Sequence, residues 1–199
     1  MPLTPVIVAV SSPAEAGTSG PEVVLTPHHP YWGLRAGDEI GRLAAALGDL
    51  FVAAAHVGST AVPGLRARPS LDLAVVVPDL AALDAHADTV GALGYVWRGE
   101  HGVAGRRYAT FDHQRTLARM FNVQFVAPDS ALLERLLALR DYLRAMPGEA
   151  AAYDQIKSAA AAAHPHDVAA YAAAKSAWLE ACEARALAWR HGEAAAKAG

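Results

Sequence analysis

The sequence predicts an α+β fold: a β-sheet with flanking helices, followed by a C-terminal helical extension. Strand-like and helix-like segments alternate from about residue 21 to Pro128, and beyond Pro128 only helical patterns occur. The composition agrees. The 199 residues are 53% hydrophobic and 19% charged, which allows a real core and excludes disorder of the whole. Much of that apolar total is alanine, which favours helix but buries little area.

Residues 1–20 read as a flexible leader, because Ser11 to Pro21 is dominated by Ser, Gly, Pro and Ala. Val23-Val24-Leu25 is a short apolar run, and Pro27-His28-His29-Pro30 turns the chain. A helix fits Tyr31 to Leu47, with apolar positions Leu34, Ile40, Leu43, Ala44 and Leu47, ended by Gly48. Phe51 to Val57 is strand-like and runs into Gly58-Ser59-Thr60. Thr60 to Pro69, with Pro63, Gly64 and Pro69, is a loop. Leu71 to Val77 is a Val-rich strand, and Leu80 to Leu93 a helix closed by Gly94. Tyr95 to Arg98, Arg106 to Phe111 and Arg119 to Val126 read as strands, the last two as an antiparallel pair. Asp129 to Ala145, Gly148 to Ala163 and Asp167 to about Trp189 are three helices. They are separated at Pro147 and at His164-Pro165. The chain therefore divides into a core (21–128), a helical part (129–190) that packs on it, and a short tail (191–199).

A net charge of -3 argues against a protein whose main partner is nucleic acid. Ten of the 17 Lys and Arg lie between Arg66 and Arg144, all of them arginine, together with nine Asp and Glu. Arginine's planar fork suits phosphate or carboxylate, so a compact anionic ligand fits better than a polyanion. Cys182 is the only cysteine, so no intrachain disulfide forms. The run Val6 to Val10 is too short to span a bilayer and lacks a basic lead-in. The expectation is a cytoplasmic protein with no membrane partner; its oligomeric state is open.

The chemistry concentrates where a strand meets Gly58-Ser59 and the next strand opens with Asp72. A Gly-Ser pair leaves little side chain in the way, so backbone N–H groups and a hydroxyl can approach a phosphate. An aspartate beside that phosphate can hold Mg²⁺, which prefers one or two carboxylates plus phosphate oxygens and water. By spacing alone the same pattern also fits an ordinary structural turn. On the C-terminal helices, Arg140 and Arg144 are one turn apart, as are Tyr153 and Lys157, and Tyr171 and Lys175. Leu132, Leu136, Leu139 and Leu143 form an apolar stripe able to bury against a sheet.

His56-Val57-Gly58-Ser59-Thr60-Ala61-Val62-Pro63-Gly64-Leu65, then Arg68-Pro69-Ser70-Leu71-Asp72-Leu73, closely resembles the signature of the GrpB family within the nucleotidyltransferase superfamily. Arg140-Asp141-Tyr142-Leu143-Arg144, Pro147, Tyr153, Lys157, His164-Pro165, Asp167, Tyr171 and Lys175 extend the likeness, and Pro30-Tyr31-Trp32 resembles its aromatic entry. The resemblance spans roughly Val23 to Trp178. It implies a nucleotidyltransferase-like mixed sheet with a phosphate site at the Gly-Ser turn, closed by basic residues of the C-terminal helices. It also implies a nucleoside triphosphate co-substrate and metal-dependent nucleotidyl transfer. On that reading Gly58, Ser59 and Thr60 hold the phosphates, and Asp72 binds Mg²⁺. Arg66 or Arg68, with Arg140, Arg144, Lys157 and Lys175, neutralise charge; Asn122 and Gln124 read the acceptor. His56 joins Asp72, Arg140 and Lys157 as a catalytic candidate, and Tyr153 and Tyr171 as substrate contacts.

Three departures bear on activity. The superfamily's second carboxylate, two residues after the first, is Ala74. A glutamate before the motif histidine is Ala55, and a His-Leu-His triplet is matched by Asn122-Val123-Gln124. Amides hydrogen-bond a ligand but neither take a proton nor hold metal well. The leading expectation is a transferase or a nucleotide-dependent enzyme that activates a small molecule. The alternatives are a binding module for an anionic metabolite that has lost transfer chemistry, and an accessory domain, since GrpB-like segments also occur fused to other enzymes.

His164-Pro165-His166-Asp167 reads as a helix start with Asp167 as cap rather than a metal site. Arg106-Arg107 reads as edge-strand charge or as a phosphate flank. Cys182 reads as a packed thiol, and Trp178 as core.

Overall fold

The computed structural model describes residues 22–198, and side chains through Gly192. The expected leader, residues 1–20, lies outside the described residues. The first helix, α1 (Tyr31–Leu47), has the expected bounds and, at Ile40, Leu43 and Leu47, the expected stripe. Trp32, Ala36, Glu39, Leu43 and Leu47 face inward at helical spacing, while Leu34 is exposed. Glu39 is buried because it has partners: Tyr95 Oη donates to it at 2.6 Å, and Arg42 donates from its own helix.

The strands are β1 (Ala53–Val57), β2 (Leu71–Val76), β3 (Val96–Trp97), β4 (Arg106–Asp112) and β5 (Arg119–Val126). They form one mixed sheet in the order β1-β2-β5-β4-β3, with β2 parallel to β5 and every other pair antiparallel. The expected helix 80–93 is instead two short ones, α2 (Leu80–Asp84) and α3 (Ala87–Ala92). Asp79 caps the first by accepting from Ala81 N and Ala82 N. The break falls at His86, whose Nδ1 bonds Ala82 O at 2.9 Å and competes with the helical ladder.

Side chains alternate across the strands, so the sheet has two different faces. Leu71, Leu73 and Val75 of β2, with Phe121, Val123 and Phe125 of β5, pack under α1 and form the main core. The opposite face carries Val57, Ala74, Val76 and Val126 under Leu132 and Leu136 of α4 (Ala131–Ala145). That face changes character at its other end, where Asp72 and Asn122 lie side by side in register.

Helices α5 (Pro147–Ala163) and α6 (Val168–Ala198) complete the fold. Pro147 opens α5, where its missing N–H costs nothing. Asp167 accepts from Ala170 N at 2.9 Å and caps α6 as expected. The last helix continues through the expected tail as far as Ala198. Val62 and Leu65 of the loop between β1 and β2 pack with Ala138, Tyr142, Leu143, Tyr153, Cys182 and Ala186. The helical part therefore clamps this loop rather than merely adjoining the sheet. The segment before α1 adds a second clamp: Thr26 bridges Ala67, and Val23 N donates to Pro165 O. Among the described residues no helix is long and apolar enough to cross a membrane.

Candidate functional site

The end of β1 and the loop after it set the site. Gly58 has φ +73° and ψ -172°, backbone that only glycine adopts without strain. A Cβ there would also overlap Asp72 Oδ2, so glycine lets the turn lie directly against the carboxylate. Ser59, Thr60 and Ala61 then form one 3₁₀ turn. Arg144 donates twice to Ala61 O, at 2.9 and 2.7 Å, and Arg140 donates to His56 O at 3.2 Å. These two arginines brace the backbone of the motif from behind.

A cleft of about 110 Å³ opens beside the turn. Its walls carry Ser59, Thr60, Arg68, Ser70, Asp72, Asn122, Lys157, Tyr171 and Lys175. Among the described residues Asp72 is its only carboxylate. Asn122 Nδ2 donates to Asp72 Oδ1 and to Ser70 Oγ, both at 2.9 Å. Asn122 Oδ1 accepts from Tyr108 Oη at 2.7 Å and from Arg119 Nη1 at 3.0 Å. All four hydrogen-bonding positions of this amide are therefore used within the protein. Asn122 orients Asp72 and has no capacity left for reading an acceptor.

The cations are arranged differently. Arg68 and Lys175 have no hydrogen bond or ion pair from their charged ends among the described residues. Lys175 Nζ lies 5.1 Å from the centre of the Tyr171 ring. Lys157 is buried, donates to Arg66 O and lies 4.8 Å over the Tyr153 ring. Burial shifts all the titratable members toward neutrality. It lifts Asp72 to about 6 against the pull of Asn122, Lys175, Arg68 and Arg119. It lowers Lys157 to about 7 and Lys175 to about 8. Arg68 is lowered too, also by burial first.

Of the residues singled out from sequence, Ser59, Thr60, Arg68, Asp72, Asn122, Lys157, Tyr171 and Lys175 meet at the cleft, with Gly58 against its carboxylate. Six others do not reach its wall. Arg66 is exposed and paired with Asp154 at 2.6 Å, and Arg140 and Arg144 hold backbone. Gln124 is buried and accepts from Arg106 Nη1 at 2.7 Å. Tyr153 stacks on Trp178, centroids 5.0 Å apart and rings nearly parallel. His56 is in register with Leu73, so its side chain leaves the face opposite Asp72. It meets Thr60 Oγ1 at 2.9 Å. Burial and the neighbouring Arg144 and Arg140 hold it down to about 4, so it is neutral at physiological pH.

Sequence reading passed over Ser70, Tyr108 and Arg119 as site residues. Ser70 lay within the quoted motif. Tyr108 and Arg119 become visible only once β4 and β5 pair. Arg106 is no exposed edge charge, because the Glu100 and His101 carbonyls accept from its guanidinium and it is 1% exposed. Cys182 is a buried thiol, raised to about 11 chiefly by burial.

The family model described as GrpB protein matches residues 22–185. The chain belongs to the GrpB family. It is 32% identical over 171 residues to the UPF0157 protein YqkA of Bacillus subtilis, covering 86% of this chain and 48% of that one. It thus spans about half the length of that relative. It is also 32% identical over 190 residues to a dephospho-CoA kinase of Mycolicibacterium paratuberculosis, covering 84% of this chain and 46% of that one. Among solved structures it matches the conserved protein GrpB from Enterococcus faecalis, with a TM-score of 0.78 and 31% identity. That match covers 84% of this chain and 99% of that one. The GrpB fold is therefore shared by sequence and by structure, and the bracing of Gly58 to Ala61 is part of it here.

Proposed function

We propose that this GrpB-family chain binds a phosphate-bearing small molecule, in the first place a nucleoside triphosphate. Its use of that ligand is metal-dependent nucleotidyl transfer to, or activation of, a small acceptor. The observation that carries the reading is the charge balance of the cleft. Arg68, Lys157 and Lys175 converge there with one carboxylate, and two of the three cations have no partner among the described residues. A cleft of about 110 Å³ is small beside the roughly 300–1,000 Å³ of a whole-ligand pocket. It suits the phosphate end of a ligand, with the remainder extending outward.

The donor set fits Mg²⁺ arriving with that ligand. Asp72 Oδ1 is held by Asn122, whereas Oδ2 lies against Gly58 with no hydrogen bond among the described residues. One carboxylate oxygen, completed by phosphate oxygens and water, is a set Mg²⁺ accepts. Mg²⁺ would supply charge neutralisation on the phosphates. The protein's own groups do the rest: Ser59 and Thr60 orient phosphate oxygens, and Arg68, Lys157 and Lys175 stabilise developing negative charge.

Binding without transfer is the second reading, and particular positions favour it. Ala74 stands where a second carboxylate would, the Asn122 amide is used up, and Gln124 is tied to Arg106. No group of three potential metal-binding side chains occurs among the described residues.

Thermal shift with ATP, GTP, CTP, UTP and inorganic phosphate, each with and without Mg²⁺, separates the two. Ligand that binds only the folded state raises Tm by mass action. A nucleotide shift that needs Mg²⁺ and is lost in Asp72→Asn supports transfer. A shift indifferent to Mg²⁺ but lost in Lys175→Met supports binding alone. No shift with any of these anions would sink both.

A further inference from the structure

On the same sheet face as Asp72 and Asn122, further along β4 and β5, lies a second polar cluster that the cleft does not use. Its centre is Arg106, 1% exposed, with no acidic partner among the described residues. A buried guanidinium without a counter-ion is costly, so what surrounds it is informative. Arg106 Nη1 donates to Gln124 Oε1 at 2.7 Å. Its Nε donates to Glu100 O at 3.1 Å and its Nη2 to His101 O at 3.0 Å. The Nε–Nη2 edge is one on which a carboxylate sits with two parallel hydrogen bonds. Two successive backbone carbonyls occupy the places of the two carboxylate oxygens.

The side chain of the same loop completes the likeness. The His101 ring stacks on Tyr108, centroids 5.2 Å apart and 11° between planes. Two buried nitrogens beside the fork, His101 Nε2 and Gln124 Nε2, have no hydrogen-bond partner among the described residues. The loop from Gly99 to Gly105 has an unusual backbone. Gly99, Gly102 and Gly105 all have positive φ, and His101 holds φ +47°, which is unfavourable for a residue with a side chain. Besides Arg106, its tip is held by Val103 N to Glu100 O and Gly105 N to Glu100 Oε1, both at 3.1 Å, by Arg107 Nη1 on Glu100 Oε1 at 3.5 Å, and by Val103 packing against the cluster under α4.

We infer that residues 100–105 act as a plug over a second binding site, one that takes a planar aromatic carboxylate. The carboxylate displaces the Glu100 and His101 carbonyls from the Arg106 fork, and the ring replaces the His101 imidazole on Tyr108. Gln124 Nε2 donates to the same ligand. The site touches the phosphate cleft through Tyr108, whose hydroxyl bonds the amide that orients Asp72. The inference goes beyond the phosphate reading and stands whether or not that reading holds.

Benzoate is the probe and benzamide its neutral control, titrated calorimetrically into the full chain. Hydrogen–deuterium exchange of residues 100–105 is followed in parallel. Benzoate binds, benzamide does not, and saturating benzoate raises exchange in 100–105. His101→Gly removes the competing ring and relieves the left-handed strain, and it tightens benzoate by about five- to tenfold. Arg106→Lys, which cannot form the fork, loses binding if it folds; His101→Gly keeps the test open if it does not. Absence of benzoate binding in both wild type and a folded His101→Gly overturns the assignment. So does binding with unchanged exchange in 100–105, or binding abolished by Lys175→Met but indifferent to His101→Gly.

Discussion

Asp72→Asn should stabilise the protein at neutral pH. Burial moves this carboxyl from an ordinary 3.8 to about 6, although Asn122, Lys175, Arg68 and Arg119 all pull it back. An acid whose pKa is raised by folding weakens the folded state wherever it must ionise. The penalty is absent below pH 3.8, where both states are protonated. It grows as the pH rises from about 4 to about 6, and is complete above that. A displacement of this size corresponds to about 3 kcal/mol at pH 7.5. The neutral amide keeps an acceptor for Asn122 but leaves Lys175 and Arg68 without their anion, so the expected net gain is about 1–3 kcal/mol. Urea unfolding of wild type and Asp72→Asn at pH 7.5 and pH 4 measures it. The gain should be present at pH 7.5 and nearly gone at pH 4. A variant less stable than wild type at pH 7.5 would show that the carboxylate is favourably solvated and that the cleft's burial cost has been misread.

Other perturbations test the parts around it. Asn122→Ala strands Asp72 Oδ1, Tyr108 Oη and Arg119 Nη1 at once, so unfolding free energy should fall by about 2–4 kcal/mol by urea titration. Gly58→Ala and Gly64→Ala both place a Cβ at positive φ, but only the first overlaps Asp72. Gly58→Ala should cost about 3 kcal/mol or more and Gly64→Ala about 1 kcal/mol; equal losses would remove the Asp72 contact from the argument.

Local chemistry made much of this legible in the sequence. Helix α1 ends at Gly48, whose φ of +53° suits glycine, and the residues Tyr31–Leu47 follow from that stop. Gly58, Ser59 and Asp72 were recognisable because their spacing is local. The purposes of the arginines were not, since they depend on what a fork meets at long range. Arg140 and Arg144 lie one turn apart on α4 as expected, but they meet the carbonyls of His56 and Ala61 rather than open space. Arg106 looked like an edge charge because sequence does not reveal that the loop carrying Glu100 and His101 folds over it. Gln124 shares a strand face with Asn122 as expected, yet the neighbouring strand gives the two amides different partners.

The same burial that destabilises the cleft sets how it should bind. Lys157 and Lys175 are held near 7 and 8, so they change charge within the physiological range, whereas Arg68 does not deprotonate there. A base whose pKa is lowered by folding destabilises the protein while protonated. The cost is relieved as pH rises from the folded value toward the unfolded one, so raising the pH favours the fold and disfavours anion binding. The lysines also repel one another, so their titration belongs to the pair. For inorganic phosphate, already mostly dianionic by pH 7.5, affinity should fall as pH rises from 7.5 to 9, by about tenfold for each lysine that must regain a proton. Bound anion raises both lysine pKa values, so binding at pH 8 takes up protons. Calorimetry in two buffers of different ionisation enthalpy reads that uptake directly. Lys175→Met should reduce both the uptake and the pH slope. Affinity flat between pH 7.5 and 9, with no proton uptake, would mean that Arg68 alone holds the anion and that the two lysines are structural.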